Sequence, residues 1–278
     1  EGEPIDPGSV EQALRDDPQH RIKAVFAVHT DTASSVTSDM HALRAALDAA
    51  RHPALLVVDV VASLAAAPFA MDELGANVVV GASQKGLMVP PGLGFIAVDQ
   101  RAMQVAGQNP APRFYWDWAR RKGEHSYQKF CGTPPHSLLM GLEAALGLIF
   151  QEGIDAVLQR HARLARTVHA AVDCWSEGGA LRCFAPSVAA RSTSVTAIAV
   201  RAGIDVEALR TVARERFQVA IAGGLGPLAG RVFRIGHLGD LNPAMILGAL
   251  AGVEAALQVQ GIPFRSGVAA AVARLASD

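Results

Sequence analysis

Three short apolar runs, at residues 21–29, 53–61 and 77–82, are separated by stretches with helical periodicity. Such runs suit strands buried on both faces, and strands alternating with helices pack as a mostly parallel sheet covered on both sides. A fourth strand is expected at residues 94–98, and residues 38–51 have a capping residue followed by apolar positions at helical spacing. Each of the first three runs carries polar side chains at or near its end: "HTDTASSV" closes the first, Asp59 interrupts the second, and "SQK" closes the third. In open parallel sheets ligands collect at the carboxyl ends of strands. Thr32, Asp59, Gln84 and Lys85 are therefore expected to share one pocket.

From residue 134 the pattern turns helical, with one helix in "PPHSLLMGLEAALGLIFQEG" and a longer one running to the Gly178-Gly179 stop. Beyond it, strands are expected at 194–200, 218–222 and 231–236, and helices at 205–216, 243–260 and 266–276. The expected organisation is a large α/β unit over residues 1–152 and a smaller α+β unit over 153–278. The chain starts without Met, in a surface turn and helix, which reads as part of a longer protein.

Half of the residues are hydrophobic, enough for a core, and the net charge of −1 gives no basic surface for nucleic acid or membrane. The longest apolar runs are broken by charges such as Asp59 and Glu143, so no membrane span is expected. Three cysteines without a CxxC pair suit a reducing, cytoplasmic setting. His29, His125 and His237 lack metal-ligand spacing, and no metal is expected.

Lys85 is the informative residue. A charge just past a buried strand is costly unless something uses it. A partly desolvated lysine has a lowered pKa and forms Schiff bases with aldehydes. A carboxylate on the neighbouring strand holds a pyridinium nitrogen protonated, and the two together are what pyridoxal phosphate needs as an electron sink. Pro90-Pro91-Gly92 restrains the loop after the lysine. Taken singly these residues have plainer readings. Lys85 would snorkel along apolar surface, Asp59 would cap a strand end, and Arg234 would form a surface ion pair. Thr133 before Pro134-Pro135 would start a helix. "GGLGPLAG" at residues 223–230 lacks the Lys and Ser/Thr of a P-loop and reads as a flexible turn. Trp116 and Trp118 read as packing or interface residues.

The motifs "HTDTASSV", "VDVVASL", "GASQKGLMVPPGLG", "FYWDW", "GTPPHSLLMGLEAAL" and "FRIGHLGDLN" occur in this order along the chain. Together they resemble the class V, fold type I, pyridoxal-phosphate-dependent aminotransferases, and among them the serine–, alanine– and aspartate–glyoxylate group. The resemblance implies amino transfer from serine, alanine or aspartate to glyoxylate, giving glycine, through a Schiff base on Lys85. It implies that Asp59 pairs with the pyridine nitrogen, Val61 packs beneath the ring, Gln84 bonds the phosphate and Thr32 contacts the cofactor. It also implies that Arg234 clamps the substrate carboxylate, a task suited to a guanidinium. Thr133 would reach the phosphate of a neighbouring subunit, which requires a homodimer.

Several positions depart from the family pattern. Ser35 stands where the motif usually ends in Gly, Asp31 replaces Glu, and Phe130 replaces a Tyr that would reach the phosphate. Family members also begin well upstream of Glu1, with a phosphate turn and a stacking aromatic. Two other readings compete: a lyase or cysteine desulfurase, which needs a reactive cysteine over the cofactor, and an inactive binding module of the same fold.

Overall fold

The computed structural model describes residues 1–277. Helix α1 (Pro7–Arg15) begins at Asp6, whose carboxylate accepts the N–H groups of Gly8 and Ser9. Strand β1 (Ala24–Val28) is followed by a small hairpin, β2 (Thr30–Asp31) and β3 (Val36–Thr37), and then by α2 (Met40–Ala50). Next come β4 (Leu55–Asp59), the single turn α3 (Met71–Leu74), β5 (Val78–Ala82) and β6 (Gly94–Val98). The sheet order is β1-β4-β5-β6, with β1, β4 and β5 parallel and β6 antiparallel to β5. Leu14 of α1 and Leu43 and Leu47 of α2 pack with Leu56 and Val58 of β4 to form this sheet's core.

Helix α4 (Gln100–Gln108) was not evident from periodicity. It is largely polar, and the Asp99 carboxylate sets its start by accepting the Ala102 N–H at 2.7 Å. After α5 (Ser126–Phe130) comes α6 (His136–Glu152), which packs Ile149, Leu142 and Leu146 against Ala65 and Leu87 of the loops at the sheet's end. The chain breaks at Gly153, whose φ of +89° turns α6 by 86° into α7 (Ile154–Ser176). No single helix among the described residues is long and apolar enough to cross a membrane.

A second, antiparallel sheet contains β7 (Leu181–Cys183), β8 (Val195–Val200), β9 (Ala222–Gly223) and β10 (Val232–Gly236), in the order β7-β8-β10-β9. Helices α7, α8 (Val206–Phe217), α9 (Pro243–Val259) and α10 (Val268–Ser277) bury it, around Trp175, Ile198, Leu209, Phe233 and Leu250. Two details differ from the expectation. β7 is too short to announce itself in sequence. The strand expected at 218–222 shrinks to β9, because Gln218 takes a left-handed conformation (φ +57°) to end α8.

The turn after β4 and the loop after β5 press together. A Cβ on Gly86 would lie 2.2 Å from the Leu64 carbonyl oxygen, so only glycine allows this approach. Gly86→Ala must push the two backbones apart, and it is expected to cost about 1–3 kcal/mol. Denaturant unfolding checks this, and an unchanged midpoint would contradict the close approach.

Candidate active site

The carboxyl ends of β1, β4 and β5 lie side by side because the three strands are parallel neighbours. At the end of β4, the Asp59 carbonyl accepts the His29 N–H at 2.9 Å. Its carboxylate Oδ1 accepts the Val61 N–H at 2.7 Å, while Oδ2 has no partner among the described residues. His29 Nδ1 lies 2.9 Å from the Ser63 hydroxyl, and burial lowers the pKa of the ring.

Ser83 organises the loop after β5. It is fully buried; its hydroxyl donates to the Pro90 carbonyl at 2.8 Å and accepts the Leu93 N–H at 3.3 Å. Its own carbonyl accepts from Val89. The loop is thus folded back on itself, with Lys85 at the turn. Lys85 is half-buried, and its ammonium makes no hydrogen bond or ion pair among the described residues. Its pKa falls below the ordinary lysine value, first through burial and second through the positive charge of Arg234.

Arg234, on β10, is buried. Its Nε donates to the Gly223 carbonyl at 2.8 Å and its Nη1 to the Thr32 carbonyl at 3.0 Å. Nη2 has no partner among the described residues. Burial lowers the Arg234 pKa, and the negative charge of Asp31 opposes that. Asp31 itself is braced by the Ala33 and Ser34 N–H groups and the Ser34 hydroxyl. Burial raises its pKa, but these hydrogen bonds, aided by Arg234, outweigh it and hold the carboxyl below the usual range.

The structure therefore sets Thr32, Asp59 and Lys85 at the carboxyl-end side of the first sheet, with Arg234 of the second sheet bonded to the Thr32 carbonyl and its charge felt at Lys85. Gln84 is exposed beside Lys85, and Val61 is half-buried one turn past Asp59. Thr133 is exposed in the turn before α6 and makes no hydrogen bond to this cluster among the described residues. Sequence reasoning missed Ser83 and Gly86, whose roles depend on tertiary approach. It also left Asp31 as a mere departure from pattern, although an acidic residue at a strand end was a usable signal. Surface clefts of about 300 and 400 Å³ lie elsewhere, beside Arg182 and Arg201 and beside Pro112 and Arg120. Among the described residues no group of acidic, His and Cys side chains is placed to hold a metal.

The aminotransferase class-V family profile matches residues 3–229. The chain is 44% identical over 272 residues to serine–glyoxylate aminotransferase of Methylorubrum extorquens, covering 95% of this chain and 67% of that protein. It is 41% identical to L-aspartate–glyoxylate aminotransferase of Paracoccus denitrificans, covering 97% and 68%. The solved pyridoxamine–pyruvate aminotransferase of Mesorhizobium loti superposes with a TM-score of 0.88 at 31% identity, over 100% of this chain and 70% of that one. The chain thus spans about two thirds of the length of these relatives. It belongs to the class V aminotransferase family, with the fold of the pyridoxal-phosphate-dependent, fold type I enzymes.

The residues present suit that cofactor. An unpaired amine of lowered pKa matches its aldehyde, and an unpaired carboxylate oxygen on the adjacent strand matches its ring N–H. The desulfurase alternative finds no support. Cys183 is buried in β7 with its thiol pushed up to about 12 by burial, and Cys131 and Cys174 lie outside the cluster.

An amine of lowered pKa reacts at lower pH. In cofactor-free protein, an amine-selective reagent near pH 8 should label Lys85 ahead of Lys23, Lys122 and Lys129. Arg234→Gln removes a neighbouring positive charge, so the Lys85 pKa should rise and its labelling should slow. Peptide mapping reads both effects, and equal labelling of all four lysines would contradict them.

Proposed function

We propose that the chain is the catalytic portion of a glyoxylate-accepting aminotransferase whose amino donor is serine, alanine or aspartate. The observation that carries this is Lys85, half-buried, unpaired and lowered in pKa, at the strand ends that also bear Asp59, with Arg234 close by. Identity above 40% to glyoxylate aminotransferases supports the choice of acceptor.

Pyridoxal phosphate, when bound, supplies a carbonyl that accepts the amino group and a ring that takes up the electron pair released at the substrate Cα. The chain's residues do the rest. Lys85 Nζ would hold the cofactor through its aldehyde carbon and, once the donor's amine had taken its place there, would act as general base and then general acid, taking the proton from the substrate Cα and delivering it to that carbon. Its lowered pKa keeps more of the amine unprotonated at neutral pH. Asp59 Oδ2 would keep the ring nitrogen protonated, Val61 would pack against the ring, Gln84 would bond the phosphate and Thr32 would brace the cofactor. Arg234, with two nitrogens pinned by carbonyls, offers Nη2 to the carboxylate of donor and acceptor alike.

We also infer a homodimer, in which Thr133 serves the neighbouring subunit's phosphate. Met140 and Phe150 on α6, and Trp116, are each more than 70% exposed, apolar side chains that a second copy would cover. Three unpaired cysteines agree with a cytoplasmic location. Light scattering on the full-length protein should give twice the chain mass, and a monomer would contradict the shared site.

Two substitutions test the assignments. Lys85→Ala should abolish turnover, measured as glycine formed from glyoxylate. Arg234→Ala should raise KM for both donor and glyoxylate by roughly ten- to a hundredfold. Wild-type kinetics in either variant would remove that residue from the mechanism. A donor screen against glyoxylate identifies the amino acid used.

A further inference from the structure

Ser35 has a positive φ of 59°, a left-handed conformation that side chains with a Cβ seldom adopt, and it stands where the family motif commonly has glycine. It is buried, and each of its polar groups is engaged. Its N–H donates to the Asp31 carbonyl at 2.8 Å, and its carbonyl accepts the Ser192 N–H at 3.0 Å. Its hydroxyl accepts the Ala197 N–H at 3.0 Å.

That last bond fills a gap in the second sheet. β7 ends at Cys183, and the final rung on that side of β8 is Phe184 N–H to the Ala197 carbonyl, at 2.8 Å. The Ala197 N–H points to the same edge and would be buried without a partner, but the Ser35 hydroxyl takes it. Ala197 lies opposite Arg234 in the β8–β10 register. The turn containing Ser35 also supplies the Thr32 carbonyl that holds Arg234 Nη1. One turn therefore grips both the guanidinium and the strand behind it.

We propose that Ser35 is a positioning residue for the substrate-carboxylate clamp: its hydroxyl fastens β8, and with it Arg234, to the turn of the β2–β3 hairpin that follows β1. The proposal rests on the clamp reading of Arg234. Serine here accepts backbone strain in return for a hydrogen bond that glycine cannot make.

The test uses full-length, cofactor-loaded protein carrying Ser35→Gly or Ser35→Ala, with Arg234→Ala as the comparator. Ser35→Gly removes the hydroxyl together with the Cβ that strains the left-handed backbone, so it remains informative if Ser35→Ala folds poorly. In both Ser35 variants, hydrogen exchange at the Ala197 amide, measured without substrate, should be faster than in wild type. KM for donor and for glyoxylate should rise together by roughly tenfold, with a smaller change in kcat. Wild-type exchange at Ala197 in Ser35→Gly would overturn the proposal. So would faster exchange with wild-type KM values while Arg234→Ala is impaired. Unchanged KM values in Arg234→Ala would instead overturn the clamp itself, and this proposal with it.

Discussion

An unpaired ammonium half-buried next to a buried guanidinium is the constraint on which the rest of the site depends. Burial and the neighbouring charge both disfavour the protonated form of Lys85, so the arrangement lowers its pKa without any special partner. Asp31 is the local counter-charge, but it is taken up with the Ser34 turn and faces Arg234. Asp31 and Asp59 balance the two cationic side chains overall, but the Lys85 ammonium and Arg234 Nη2 have no partner among the described residues and can meet anions. Carboxylate substrates and a phosphate-bearing cofactor meet that requirement.

Holding those charges together takes rigid backbone on both sides. Ser83 ties the Lys85 loop to Pro90 and Leu93, and Gly86 lets that loop lie against the turn after Asp59. From the second sheet, the Thr193 hydroxyl donates to the Ala66 carbonyl at 2.6 Å, so the β4 turn is also joined to the start of β8. The site is thus a seam between two sheets and not a cavity within one. Relative movement of the sheets would alter the distance between Arg234 and Lys85 before it altered either sheet's core.

The parallel sheet was legible because its strands are continuous apolar runs and its ends carry Asp59 and Lys85, residues that are out of place there unless used. Helices α6 and α7 were legible from periodicity and from glycine at the break. β7 and β9 were not, since two or three residues cannot show a period, and α4 was hidden by its polar composition. In the site, residue types were readable but their pairings were not. Nothing local in the sequence tells that the Arg234 guanidinium will meet the Thr32 carbonyl 202 residues away, or that Ala197 will need the Ser35 hydroxyl. Those contacts follow from how the two sheets meet.

The central claim is that Lys85 is the amine that carries the cofactor. Borohydride reduction of the full-length protein loaded with pyridoxal phosphate, followed by peptide mapping, tests it most directly. The account predicts a single pyridoxyl adduct, on the peptide containing Lys85. An adduct on Lys23, Lys122 or Lys129 instead, or none at all from protein that has bound the cofactor, would contradict it.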